Sequence, residues 1–283
     1  MIEILKLGLY DSIQDLGRKG VQQFGVPHSG AMDAYSAKMA NLILDNAMDA
    51  AVLEFTMLGP TLKCLKDTVI CLSGAESGPK INERPVEQHK ALSFKSGDVL
   101  HIGPCLNGAR GYLAIAGGFR TETVLGSRSQ YANITAAFKL QKGDRLPINQ
   151  NVQEKASNRA LIKLPPEHFN TQTLTVFPGP EFSRLSKTQA ETLMSQSYSV
   201  SKDSNRMAYQ LNETLENELQ SCITSLVLPG TVQLTPSGQL VILMRDCQTT
   251  GGYPRVLQLS EQAIDRLSQK KIGDQFRLKW MGK

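Results

Sequence analysis

The 283-residue chain is most informative first in what it lacks: long apolar runs, charge in quantity, aromatics, and cysteines in any pairing pattern. Its longest aliphatic stretches, such as Leu240-Val241-Ile242-Leu243-Met244, fall far short of the roughly 20 apolar residues a helix needs to span a bilayer. No membrane-spanning helix is expected. Charged residues make up 20%, below the roughly 25% of an average soluble domain. The 31 basic and 26 acidic residues leave a net charge of +5 spread along the chain, without the basic stripe of a nucleic-acid groove. No nucleic-acid partner is expected. The five cysteines (Cys64, Cys71, Cys105, Cys222, Cys247) are odd in number and contain no Cys-x-x-Cys, which argues against a disulfide framework and against a zinc knuckle. They read as reduced thiols filling a core. His28, His89, His101 and His168 show no i, i+4 pair, so no metal site is expected. Gly-x-x-x-x-Gly-Lys-Ser/Thr and Gly-x-Ser-x-Gly are both missing, which removes the phosphate cradle and the nucleophile elbow. Glu3 and Lys6 interrupt the N-terminus where a signal peptide needs an unbroken apolar region. A cytoplasmic location is therefore expected.

What is present is β-rich. Glycine (23) and proline (13) stand near average usage, roughly 7% and 5%. Short apolar, β-branched segments are punctuated by Gly59-Pro60, Gly78-Pro79, Gly103-Pro104, Gly179-Pro180 and Pro229-Gly230. That texture predicts barrels or sandwiches over alternating strands and helices. Three echoes, Lys95-Ser96-Gly97-Asp98, Lys142-Gly143-Asp144 and Lys271-Ile272-Gly273-Asp274, each precede an apolar segment. Each is expected to turn the chain into a strand, because Gly takes positive φ and Asp bonds nearby backbone. The length suggests about two domains, and the polar run Asn149 to Asn158 is the candidate boundary, giving domains 1–150 and 159–283. Three short helices are predicted. The first is capped by Ser29 or Asp33 with Tyr35, Met39, Leu42 and Ile43 on one face; the second opens with a Ser186/Gln189 capping box; the third starts at Ser260 with Ala263, Ile264 and Leu267 inward and Gly273 at its end. The fold class is mainly β (α+β), two barrel-like domains with a few short helices.

Three segments hold more polar and small residues than turns need. The first runs from Ser12 to Arg18 and on through Gly25 to Asp33. It delivers Ser29 and Gly30 to a helix start, where free N–H groups favour an anion or a polarised carbonyl. The second, Asp203-Ser204-Asn205-Arg206-Met207, offers in Arg206 a planar fork for a carboxylate or phosphate. The third is Asp246-Cys247-Gln248-Thr249-Thr250-Gly251-Gly252-Tyr253-Pro254. Its hydroxyls, amide and Gly-Gly pair supply donors and a candidate anion nest, and Asp246 is placed to orient a donor or act as base.

At these segments, and at Leu53-Glu54, Gly59-Pro60, Gly126-Ser127-Arg128, Tyr131 and Asn205-Arg206-Met207, the chain resembles the allophanate-hydrolase subunit 2 family of carboxyltransferase-domain proteins. That family includes the bacterial 5-oxoprolinase C subunits and the Kip antagonists. The resemblance implies two β-rich, cyclophilin-like domains and a hetero-oligomer with B and A subunits. It implies ATP-dependent opening of the lactam 5-oxo-L-proline to L-glutamate, with ATP used by the complex. The alternatives it brings are a biotin-dependent carboxyltransferase component of the urea carboxylase type and a regulator antagonising a kinase inhibitor. No biotinylation context is present, so biotin would come from another protein. Carried onto this chain, the resemblance puts Ser29, Gly30, Asp33, Asn205, Arg206, Asp246, Gln248, Thr249, Thr250 and Tyr253 in the family's cleft; of these Asp246, Thr249, Thr250 and Arg206 are expected to be catalytic and the rest, with Gly251 and Gly252, substrate-binding. Here Ala208, Gln210 and Asn212 depart from the family's usual glycines and arginine after the Arg-Met pair. Thr249, Thr250 and the Gly251-Gly252 amides are expected to hold a carbonyl oxygen, and Arg206 a carboxylate.

Overall fold

Turn chemistry sets up much of the architecture. The computed structural model describes residues 1–149 and 164–282. In all three echoes the glycine has positive φ (Gly97 95°, Gly143 91°, Gly273 84°). The aspartate carboxylate then accepts the N–H three residues upstream, at 2.8 Å from Lys95, Gln141 and Lys271. The turns lead into strands Val99–His101, Arg145–Leu146 and Gln275–Trp280.

The chain divides into two compact units, one of Met1–Arg18 with Ser29–Pro165 and one of Lys19–His28 with Pro166–Lys283. All of the expected linker beyond Asn149 lies outside the described residues. The excursion of Lys19–His28 to the second unit has no counterpart in the sequence reading.

The first unit has a six-stranded and a five-stranded sheet. Alternation in strand Ile2–Lys6 buries Ile2 and Ile4, which join Leu53, Phe55, Leu62, Ile70, Leu72, Phe94 and Leu113 in one core. Each such side chain contributes roughly 1.5–3 kcal/mol on leaving water. Helix Ala34–Ile43 packs on the five-stranded sheet in a second cluster with Val52, Cys71, Tyr112 and Ala114. Its buried face is Ser36, Ala37, Ala40, Asn41 and Ile43. The expected stripe of Tyr35, Met39 and Leu42 stays partly or wholly exposed, because the sheet selects the small residues that let the helix approach closely.

The second unit is a seven-stranded sheet ordered from Ser197–Ser199 through Gln275–Trp280, Thr173–Pro178, Arg255–Leu259, Thr231–Leu234 and Gln239–Leu243 to Ala208–Thr214. A bridge between Val200 and Leu211 joins its two edges, so the sheet is nearly a closed barrel and hides its edges. The Ser186/Gln189 capping box forms at the start of helix Lys187–Ser195. Ser260 caps helix Glu261–Ser268, which buries Ala263, Ile264 and Leu267. That helix ends at Gln269, so Gly273 serves the following turn. A four-residue helix, Glu167–Asn170, was not expected from the sequence. Among the described residues no helix is long and apolar enough to cross a membrane.

Candidate functional site

The candidates fall into two sets. Ser29, Gly30 and Asp33 belong to the first unit, and Asn205, Arg206, Asp246, Gln248, Thr249, Thr250, Gly251, Gly252 and Tyr253 to the second.

In the first unit the organising residue is Asp15, just beyond strand Tyr10–Gln14. Its carboxylate accepts from Gly17 N–H (2.8 Å), Ser127 Oγ (2.6 Å), Ser129 Oγ (2.7 Å) and Arg128 N–H (2.6 Å). Its carbonyl accepts the Ala31 N–H at 2.8 Å. The side chain thereby ties the 15–17 turn to residues 127–129, and the backbone carbonyl adds Ala31. Beside it, Gly30 takes φ 94°, and an added Cβ would lie 2.8 Å from the Gly17 nitrogen. Only glycine fits both the conformation and the space. Ser29, at φ 57°, is fully buried.

The helix start that was expected to receive an anion already has the protein's own. Asp33 caps helix Ala34–Ile43, accepting from Ser36 N–H at 3.0 Å and Ser36 Oγ at 2.6 Å. The Met32 N–H goes to Glu54 Oε2 (2.8 Å) and the Asp33 N–H to the Tyr112 hydroxyl (2.8 Å), which itself donates to Glu54 Oε2 (2.9 Å). Burial, then the neighbouring Glu54 and Asp33 carboxylates, push the Tyr112 hydroxyl well above its usual range. It therefore keeps its proton and donates. Sequence reasoning gave Asp15, Glu54, Tyr112, Ser127 and Ser129 no role. The available signal was Glu54 itself, an acid between Val52-Leu53 and Phe55 in strand Val52–Thr56.

In the second unit Arg206 and Asp246 meet each other. Arg206 Nε lies 2.7 Å from Asp246 Oδ2 and Nη2 3.1 Å from Oδ1, with both side chains at most a tenth exposed. The Asp246 N–H also donates to the Arg206 carbonyl at 3.0 Å. The planar fork read as a clamp for a ligand carboxylate thus holds a carboxylate of the chain. Asn205 builds the turn before it: its Oδ1 accepts from Met207 N–H at 2.7 Å.

Beyond Asp246, Gln248, Thr250 and Tyr253 are exposed, while Thr249 is buried. Thr250–Gly251 pairs with Ser225–Leu226 in a small antiparallel ladder. Neither Gly251 nor Gly252 takes positive φ, so the expected anion nest is not formed. The glycines instead allow close approach: a Cβ on Gly251 would stand 2.6 Å from Gln233 Nε2, and one on Gly252 3.1 Å from the Cys222 carbonyl. Burial, then Asp246, push the Cys247 thiol up to about 12. That thiol is not a nucleophile at neutral pH. A cleft of about 1060 Å³ in this unit lies between helix Lys187–Ser195 and the Pro236–Gly238 turn, away from all of these residues. What the segment presents outward is a row of neutral donors, rooted by a buried ion pair.

Residues 24–280 match the model of the carboxyltransferase domain, subdomain A and B. The C subunit of the Escherichia coli 5-oxoprolinase is 32% identical over 96% of this chain and 89% of its own length. That of Haemophilus influenzae is 30% identical over 98% and 90%. Among solved structures, the Kluyveromyces lactis urea carboxylase superposes with a TM-score of 0.87 at 27% identity, covering 98% of this chain and 27% of that one. With the match running through both units, the chain belongs to the carboxyltransferase-domain family.

Proposed function

We propose that the chain is the C subunit of a complex that opens 5-oxo-L-proline to L-glutamate at the expense of ATP, working with B and A subunits. The observation that carries this reading is near-complete coverage in both directions with two bacterial 5-oxoprolinase C subunits. Opening a lactam moves charge onto the carbonyl oxygen, and preorganised donors stabilise that charge. The exposed Gln248, Thr250 and Tyr253 side chains would supply such donors, with Arg206–Asp246 as the positioning pair at the root of the segment. Cytoplasmic residence and ATP use by the assembled complex go with this reading. The test is to mix the chain with its B and A partners and follow glutamate and ADP from 5-oxoproline. Coupled production supports the reading, and its failure with partners that are active with a known C subunit overturns it. Thr250→Ala should lower kcat about 10²-fold if its hydroxyl is an oxyanion donor.

A second reading, a carboxyltransferase component that takes biotin from another protein, is favoured by the fit to the urea carboxylase. Carboxyl transfer from a biotinylated partner, without glutamate formation, would select it.

A further inference from the structure

The first unit contains a cleft of about 560 Å³ that shares only Asp15 and Arg128 with the arrangement described above. Its size is that of a small-molecule site. One wall is the 44–51 loop after helix Ala34–Ile43, and the charged residues it lends to the lining are Asp45 and Asp49. The facing wall, 117–128, lends Arg120 and Arg128. Asp15 also lines the cleft, bonded to the basic wall through Ser127, Arg128 and Ser129; the other four charges are segregated by wall. Among the described residues no ion pair joins one wall to the other.

Both walls are held by the fold. Asn46 fastens the acidic wall, donating to the Ile115 carbonyl at 2.9 Å and accepting the Gly117 N–H at 2.7 Å. The Phe119 N–H reaches the Ala51 carbonyl at 3.1 Å across the base. On the basic wall the Asp15 carboxylate grips the Arg128 N–H, and an Arg128 guanidinium N–H donates to the Thr121 carbonyl. That carboxylate, with four donors, is committed to the fold. Asp45, Asp49 and Arg120 project exposed. A preformed cleft costs less ordering on binding than one assembled around its ligand.

We propose that this cleft binds a free acidic amino acid of the glutamate type, its ammonium toward Asp45 and Asp49 and its carboxylates toward Arg120 and Arg128. Two guanidinium groups suit two carboxylates, and neighbouring acids suit an ammonium. The choice of glutamate rests on the function proposed above. There the lactam substrate has a carboxylate but a neutral ring nitrogen, whereas the opened product gains an ammonium. The cleft therefore discriminates product from substrate.

The test is calorimetric titration of the full chain, alone and at low ionic strength, with L-glutamate, N-acetyl-L-glutamate and 5-oxo-L-proline. Saturable one-to-one binding of glutamate is expected, with the two ligands lacking an ammonium at least tenfold weaker. Asp49→Asn should bring glutamate down to their level, and Arg120→Gln should weaken all three about tenfold. Absence of saturable glutamate binding, equal binding of the acetylated form, or indifference to both substitutions would overturn the proposal. The titration contains neither ATP nor partners. Intact glutamate binding with no turnover in the complex sinks the proposed reaction alone, and turnover without binding sinks the cleft alone.

Discussion

Two aspartates that follow strands, Asp15 one residue past Tyr10–Gln14 in the first unit and Asp246 three residues past Gln239–Leu243 in the second, are stabilised by opposite means. Asp15 is surrounded by neutral donors, two backbone N–H groups and two serine hydroxyls. Asp246 faces one buried guanidinium in a two-point pair. A carboxylate with several neutral donors loses a fraction of its stabilisation when one is removed. A buried carboxylate paired to one guanidinium has no such margin, because losing Arg206 strands the Asp246 charge in a poorly solvated place. The first arrangement suits a scaffold that ties several segments together. The second suits a stiff root beneath an exposed row of donors.

The largest effect that would break this comparison is Arg206→Ala. It should destabilise the protein by about 3–5 kcal/mol in chemical denaturation, by leaving Asp246 buried and unpaired. Replacing both partners by apolar residues of similar volume should restore most of that loss. A single-substitution cost below about 1 kcal/mol would mean that Asp246 finds water and that the pair is not a root.

Asp11 sharpens the contrast, because it is a carboxylate with too few donors. It is 3% exposed. One oxygen accepts the Gly8 N–H at 2.6 Å and the other has no partner among the described residues. Burial raises its pKa from 3.8 to about 6, against the opposing Gly8 bond. The folded state therefore holds a proton that the unfolded state releases between about pH 4 and 6. Stability from this group is greatest below pH 4 and declines as pH rises through 6, by roughly 3 kcal/mol in all. Asp11→Asn should flatten that slope in denaturation curves taken from pH 4 to 8. A slope unchanged in the variant would assign it elsewhere.

Asp15→Asn is expected to cost less, about 2 kcal/mol, because one amide group would face a donor where a carboxylate oxygen accepted. If the cost equalled that of Arg206→Ala, neutral donors would offer no margin and the comparison would fail.

The same contrast explains what was legible in the sequence. The Gly-Asp turns and the Ser186/Gln189 box could be read directly, because each is closed by residues three apart. Arg206 and Asp246 were both singled out, but nothing local indicates that residues 40 apart pair with each other rather than with a ligand. The Met32 and Asp33 amides find partners 22 and 79 positions away in Glu54 and Tyr112. A helix start filled from such a distance looks vacant in the sequence. The buried face of helix Ala34–Ile43 was misread for the same reason, since the sheet beneath it chose Ala37 and Ala40 over the larger Leu42.

The smallest expected effect is a control for the whole comparison. Gly97 and Gly273 occupy the same turn, one in each unit, at φ 95° and 84°. An added Cβ at either would meet nothing within 4 Å. Alanine there should cost left-handed strain alone, about 1 kcal/mol, and the same amount in both units. Equal costs would show that the two units answer alike where their local chemistry is alike, so that the gap between Arg206→Ala and Asp15→Asn belongs to the carboxylate environments. A difference above about 1 kcal/mol between the two glycines would trace that gap to the units' overall stabilities instead.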